Sequence, residues 1–198
     1  MITKSFLKND AALWAQFRED DRLALKELYF LYVDALFCFG KSFTKDHTLI
    51  EDCLQDLFLE LWDKRKQLDL VESVKAYLFT ALKRKIVRRL QERKRKNGLH
   101  TEMGFQFQAI LSLEEVIIEA ENVQTQLRRA YNAINKLSKR EKEAFHLRYT
   151  EGFDYNEISE IMEISNQASR NLVHLALRNI RKELFQFSSI ISMMLFFF

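Results

Sequence analysis

Leu23, Leu25, Leu28, Leu31 and Leu36, interleaved with Tyr29, Phe30, Tyr32 and Phe37, follow the acidic pair Asp20 and Asp21. The pattern predicts a long helix buried over much of its circumference and ending near Gly40. Thr48 and Glu51 have capping-box spacing, in which a hydroxyl and a carboxylate each accept a bond from a backbone N–H left open at a helix start. Behind them Ile50, Leu54, Leu57, Phe58, Leu61 and Trp62 recur at three- and four-residue intervals, predicting a second, strongly amphipathic helix. Residues 63–73 break the period and read as a loop. Val74, Tyr77, Leu78, Ala81, Leu82, Ile86, Val87 and Leu90 then give a third helical face. Residues 97–111 have no clear period, and the sequence predicts a domain boundary there. Beyond it the capping spacing recurs at Ser112 with Glu115, Ser138 with Glu141 and Asp154 with Glu157, predicting a set of short helices. The last helix begins near Ser165 and runs through Leu172, Val173, Leu175, Ala176 and Ile180.

Composition sharpens this picture. The 198 residues contain four glycines and no proline, where average usage would give about fourteen and ten. So few turn residues exclude a β-sandwich, a barrel or a nucleotide-binding glycine loop. The fold class is all-α: two helical domains joined by a linker, the second containing a helix-turn-helix. The expected boundaries are 1–96, a linker over 97–126 that includes the start of the second domain's first helix, 127–184, and a hydrophobic tail over 185–198. Cys38 and Cys53 sit in hydrophobic stretches and read as buried thiols of a reducing compartment. The start MITKSFLKND lacks the apolar core of a signal peptide, and no stretch reaches the roughly 18 apolar residues of a membrane span. A cytoplasmic location without stable membrane insertion is expected. The tail carries no charge after Glu183; it is expected to fold back on the second domain, with docking on a protein partner as the alternative.

Charge is segregated. Residues 1–74 hold 10 basic and 14 acidic side chains, 75–96 hold 10 and 1, 97–126 hold 0 and 5, and 127–198 hold 11 and 8. A cationic run this focused suits a polyanion, although a solvated helix end is the ordinary alternative. Lys75, Lys83, Arg84, Lys85, Arg88, Arg89, Arg93, Lys94, Arg95 and Lys96 are accompanied by Tyr77 and Phe79. Cations follow phosphates while rings stack unpaired bases, a combination that favours an open strand; at helical spacing, burial of Tyr77 is the more ordinary reading. Residues 154–182 form a helix-turn-helix pattern, whose second helix would offer Ser165, Asn166, Gln167, Arg170, Asn171 and His174 to base edges in a major groove. An ordinary α-hairpin fits the same pattern. Glu51, Asp52, Gln55, Asp56, Glu60 and Asp63 line the acidic face of the second helix. With His47, His100, His146 and His174 far apart in sequence, these carboxylates lack metal-ligand company. No metal, cofactor or catalytic residue is expected, and a metal-dependent nuclease is remote.

Taken in order, ALKELYFLYVDALFCFG, EDCLQDLFLELWDKR and VKAYLFTALKRKIVRRLQERKR resemble region two of the small, two-domain extracytoplasmic-function group of bacterial RNA polymerase sigma factors. INKLSKREKEAFHLRYTEGFDYNEISEIMEIS and NQASRNLVHLALRNIRKEL resemble region four and its recognition helix. The resemblance implies that Asp52, Gln55, Asp56 and Glu60 contact core RNA polymerase. It implies minus-ten promoter contacts by Lys75, Tyr77, Lys83, Arg84 and Arg88, with the loop at 63–73 accepting a flipped base. It implies minus-thirty-five contacts by Ser165, Asn166, Gln167, Arg170, Asn171, His174 and Arg178. Core RNA polymerase, promoter DNA and an anti-sigma factor are the implied partners, and the chemistry is the polymerase's. A regulator that binds duplex DNA without polymerase is the alternative. The chain departs from common relatives in carrying Arg84 and Arg88 in place of Asn and Asp, Glu163 in place of a turn Gly, and Ala168 in place of Thr.

Overall fold

A computed structural model describes the backbone of residues 3–96 and 129–195 and the side chains of residues 10–96 and 129–184. The expected linker over 97–126, with its Ser112–Glu115 cap, lies outside the described residues, as do the side chains of the tail. Every regular element among the described residues is helical, and the chain divides into two compact units, residues 1–104 and 105–198.

The first unit packs α1 (Thr3–Arg18), α2 (Arg22–Lys41), α3 (His47–Lys64) and α4 (Val74–Lys96), with one 3₁₀ turn over Arg65–Gln67. Asp21 caps α2, its carboxylate accepting from the N–H groups of Leu23 and Ala24. Burial then follows a single line of positions, Ala24, Leu28, Tyr32, Leu36, Phe39 and Gly40. α2 is therefore buried on one face only: Leu23 is 68% exposed and Phe30 64%, which corrects the expectation of burial around most of the helix. Gly40 does not terminate α2 by turning left-handed. It lies where α2 crosses its neighbours, and a Cβ there would meet Ile50 Cγ2 at 2.6 Å and Ile86 Cδ1 at 3.3 Å. Only glycine lets the helices approach this closely.

α3 is capped by Asp46, which accepts from Leu49 N at 3.0 Å, and not by Thr48. Its helix continues to Lys64, two residues into the stretch expected to be loop. Leu49, Ile50, Cys53, Leu54, Leu57, Phe58 and Leu61 are buried, whereas Trp62 is only partly so and lies under the guanidinium of Arg65, 4.1 Å from the ring centre. Cys38, expected to be buried, is exposed. On α4 the buried set is Val74, Ala76, Leu78, Phe79, Leu82, Lys85 and Ile86, so Phe79 belongs to the core, 4.8 Å from the ring of Phe39. α1 was not visible as a helix in the sequence pattern, yet it supplies Leu13, Trp14 and Phe17 to the core. Trp14 Nε1 donates to the carbonyl of Asp69 at 3.1 Å and its ring meets Tyr77 at 5.2 Å. In this way α1 fixes the path of the 68–73 loop.

The second unit contains a helical stretch over 129–135, α5 (Lys139–Tyr149), α6 (Tyr155–Met162) and α7 (Asn166–Leu195). Both described capping boxes form: Ser138 with Glu141 at α5 and Asp154 with Glu157 at α6. Ala133, Ile134, Leu137, Ala144, Leu147, Phe153, Ile158, Ile161, Val173 and Ala176 make the core. Between α6 and α7 the chain turns through Glu163, at φ 54° and ψ 51°, a left-handed conformation that costs a residue with a Cβ more than it costs glycine. The turn holds because the N–H groups of Glu163 and Ile164 donate back to Glu160 and Ser159 carbonyls at 3.3 and 3.0 Å.

Candidate nucleic-acid interface

In the first unit the cationic helix is divided by its packing. Lys85, although charged, is buried in α4 and reaches Glu60 of α3 at 2.5 Å. Arg89 reaches Asp56 at 2.5 Å, and Arg93 reaches Asp46, the cap of α3. The hydrogen bond from Lys85 holds the Glu60 carboxyl below its ordinary value. The Leu49 N–H, followed by Arg93, does the same for Asp46. Asp56 in turn raises Arg89. Of the four residues expected to contact polymerase, Asp56 and Glu60 are thus engaged by α4, while Asp52 and Gln55 stand exposed on α3.

Tyr77, Arg84 and Arg88 lie on one face of α4 and line a pocket of about 310 Å³ together with Lys64, Leu68 and Thr80. Its floor is Leu57 and Leu61 of α3, and Glu60 and Lys85 stand at its wall. Tyr77 is half-buried, and burial raises its hydroxyl pKa. The arrangement offers an aromatic edge and a cationic rim, the chemistry an unstacked nucleotide requires. Lys75 and Lys83 do not line this pocket; Lys75 lies over the Phe79 ring at 5.4 Å. On the other side of α3 a groove of about 820 Å³ runs along α2, lined by Tyr29, Val33, Leu54, Phe58, Leu59 and Trp62, with Asp34, Glu51 and Gln55 also on it. The α2 side of this groove was missed from sequence because Tyr29 looked like core; its position off the 24–28–32–36 line is the signal that separates it.

In the second unit Gln167, Arg170, Asn171, His174 and Arg178 are exposed along one face of α7. Gln167 Nε2 donates to Asn171 Oδ1 at 3.0 Å. Ser165 is used locally, its Oγ accepting from Ala168 N at 3.2 Å to cap the helix. Asn166 is bonded to Asn156 and to Arg170. Ser169, fully buried, donates to the Tyr155 carbonyl at 2.9 Å and locks α7 against α6. The polar side chains project from the first turns of the second helix of the pair, the geometry that places a helix in a major groove. Among the described residues no cluster of three or more metal-ligating side chains exists, and no helix is long and apolar enough to cross a membrane.

Known proteins share both halves of this arrangement. The model of sigma-70 region 2 matches residues 28–96 and that of sigma-70 region 4 matches residues 127–180. ECF RNA polymerase sigma factor SigM of Bacillus subtilis (strain 168) is 24% identical over 160 residues, which are 80% of this chain and 94% of SigM. CnrH, solved in complex with the cytosolic domain of CnrY, has a TM-score of 0.59 at 18% identity, covering 90% of this chain and 98% of its own. The sigma factor RpoE from Bartonella quintana, solved with the anti-sigma factor NepR, has a TM-score of 0.56 at 24% identity, covering 80% and 95%. These two structures share the fold. With both sigma-70 regions matched in order and a sigma factor aligned across both, the chain belongs to the extracytoplasmic-function group of RNA polymerase sigma factors.

Proposed function

We propose that this sigma factor divides its work between three surfaces. The outer face of α3, with Asp52 and Gln55 exposed and the apolar groove beside it, docks on core RNA polymerase, and Asp56 and Glu60 extend that face. The pocket of Tyr77, Arg84 and Arg88 takes an unpaired non-template base of the minus-ten element, with Lys75 and Lys83 holding backbone phosphates. The exposed residues of α7, Gln167, Arg170, Asn171, His174 and Arg178, read the minus-thirty-five element as duplex, with Ser165 and Asn166 ahead of them at the start of the helix. Unstacking costs about 1.4 kcal/mol per step; a ring and several cations waiting at one pocket offset that cost, which is how strand opening is favoured without catalysis by this chain.

An anti-sigma factor fits the groove between α2 and α3. Its apolar lining with Asp34 and Glu51 alongside suits an amphipathic helix carrying basic residues, and RpoE of Bartonella quintana was solved with an anti-sigma factor. The protein works where the polymerase is, in the cytoplasm. The observation that supports the reading most is the order of the two family matches on two separate units, each presenting an exposed polar or cationic helix. Run-off transcription with purified core polymerase tests it. The chain is expected to produce transcripts from a defined start on a selected promoter, and a chain that binds DNA but leaves core polymerase without a defined start contradicts it.

A further inference from the structure

Tyr155 opens α6, and neither the helix-turn-helix pattern nor the resemblance to region four gives its side chain a role. Its ring holds two guanidinium groups: the ζ-carbon of Arg148 lies 4.9 Å from the ring centre and that of Arg170 lies 4.6 Å from it. Arg148 is anchored from behind, its Nη1 donating to the carbonyl of buried Phe153 at 2.8 Å. Tyr155 is itself fixed to α7, since its carbonyl accepts from Ser169, the residue before Arg170. Arg170 has a second restraint: its Nε donates to Asn166 Oδ1 at 2.9 Å, and Asn166 is bonded in turn to Asn156 of α6. An exposed arginine at the front of α7 is therefore held by a ring and by its inner nitrogen. Its terminal pair, Nη1 and Nη2, takes no hydrogen bond among the described residues.

Guanine presents O6 and N7 side by side in the major groove, and an arginine that meets both with its two terminal nitrogens must arrive in one orientation. A phosphate accepts from many directions and gains little from an arginine fixed in advance. Restraining a long side chain before binding reduces the entropy lost on contact. We propose that Tyr155 and Asn166 pre-set Arg170 to read one guanine of the upstream element end-on, Arg170 making the base contact and Tyr155 and Asn166 acting as positioning residues. The inference rests on the assignment of α7 to upstream duplex DNA.

The test uses core polymerase loaded with the full chain and a promoter library randomised only in the upstream element, scored by run-off. The wild-type chain should prefer guanine at one position by about tenfold. Arg170→Ala should abolish that preference and spare the others. Tyr155→Leu should lower it at the same position by about two- to fivefold, Tyr155→Phe should retain it, and Asn166→Ala, which removes the acceptor of Nε together with the bond to Asn156, should lower it again at that position. Replacing the guanine with 7-deazaguanine, which lacks the N7 acceptor, should weaken the wild type and leave Arg170→Ala unchanged. Arg170→Ala weakening all sequences equally would identify a phosphate contact and overturn the proposal. So would a loss of preference spread over all positions in both Tyr155→Leu and Asn166→Ala, or no loss in either. Wild-type holoenzyme without any preference in the upstream element would instead remove the assignment of α7, and the inference with it.

Discussion

The two polar helices proposed to face nucleic acid, α4 and α7, are ordered by opposite means. On α4, Lys85, Arg89 and Arg93 are held by carboxylates brought from 25, 33 and 47 residues away, so the helix owes its charge arrangement to the packing of α3 and its cap. On α7, Gln167, Arg170 and Asn171 are ordered by neutral amides one turn away and by an aromatic ring. The difference teaches that charge count does not measure a DNA-binding face. In the first unit Lys85, Arg89 and Arg93 of the cationic run are held by carboxylates of the protein, and Arg84 and Arg88 line a pocket suited to a single extruded base. In the second, fewer cations stand on a face whose geometry is set locally, which suits reading a duplex.

If tertiary packing arranges the first surface and local structure the second, the two units should fail for different reasons. The largest effect is expected from Phe79→Ala. The ring is fully buried against Phe39, and its removal should cost about 3–5 kcal/mol. Denaturant unfolding followed separately in the two units should show the first destabilised and the second unchanged. Asp154→Ala removes the carboxylate that accepts from Asn156 and Glu157 at the start of α6. It should cost about 1 kcal/mol, confined to the second unit in the same measurement. The smallest effect is the pH dependence of the α3–α4 contact. Lys85 holds the folded-state pKa of Glu60 below the ordinary 4.5. The stability this pair contributes is therefore complete above about pH 4.5 and is lost as pH falls through the lowered folded value. Glu60 is half exposed, so the effect is modest. The stability of Glu60→Gln should fall less steeply than wild type below pH 4.5, and an unaltered profile would show that the pair contributes nothing.

Features set by neighbouring residues were legible in the sequence. The caps at Ser138 and Asp154 depend on atoms two or three residues apart. Thr48 misled because Asp46, two residues earlier, captures the Leu49 N–H first. α1 was hidden because Leu13, Trp14 and Phe17 form too short an apolar pattern; Trp14 is held by the ring of Tyr77 and the carbonyl of Asp69, both far away in the sequence. Phe79 and Tyr77 were both read as possible stacking rings, and only the rotation of α4 against α2 and α3 places Phe79 in the core and Tyr77 at the pocket. The charge segregation was visible, but the ion pairs that consume part of it join distant positions, and no spacing along the chain announces them. Tyr155 escaped notice for a similar reason: its meaning comes from Arg148 and Arg170, which the turn of the second unit brings to one ring.

Initiation by core polymerase on matched templates, one fully duplex and one already opened across the minus-ten region, tests the division of labour most directly. With Arg84→Ala and Arg88→Ala combined, transcript yield should fall on the duplex and recover on the opened template. With Arg170→Ala it should fall by a similar factor on both, since the upstream duplex is intact in each. Recovery of both variants, or of neither, would contradict the assignment of strand opening to the first unit and duplex reading to the second.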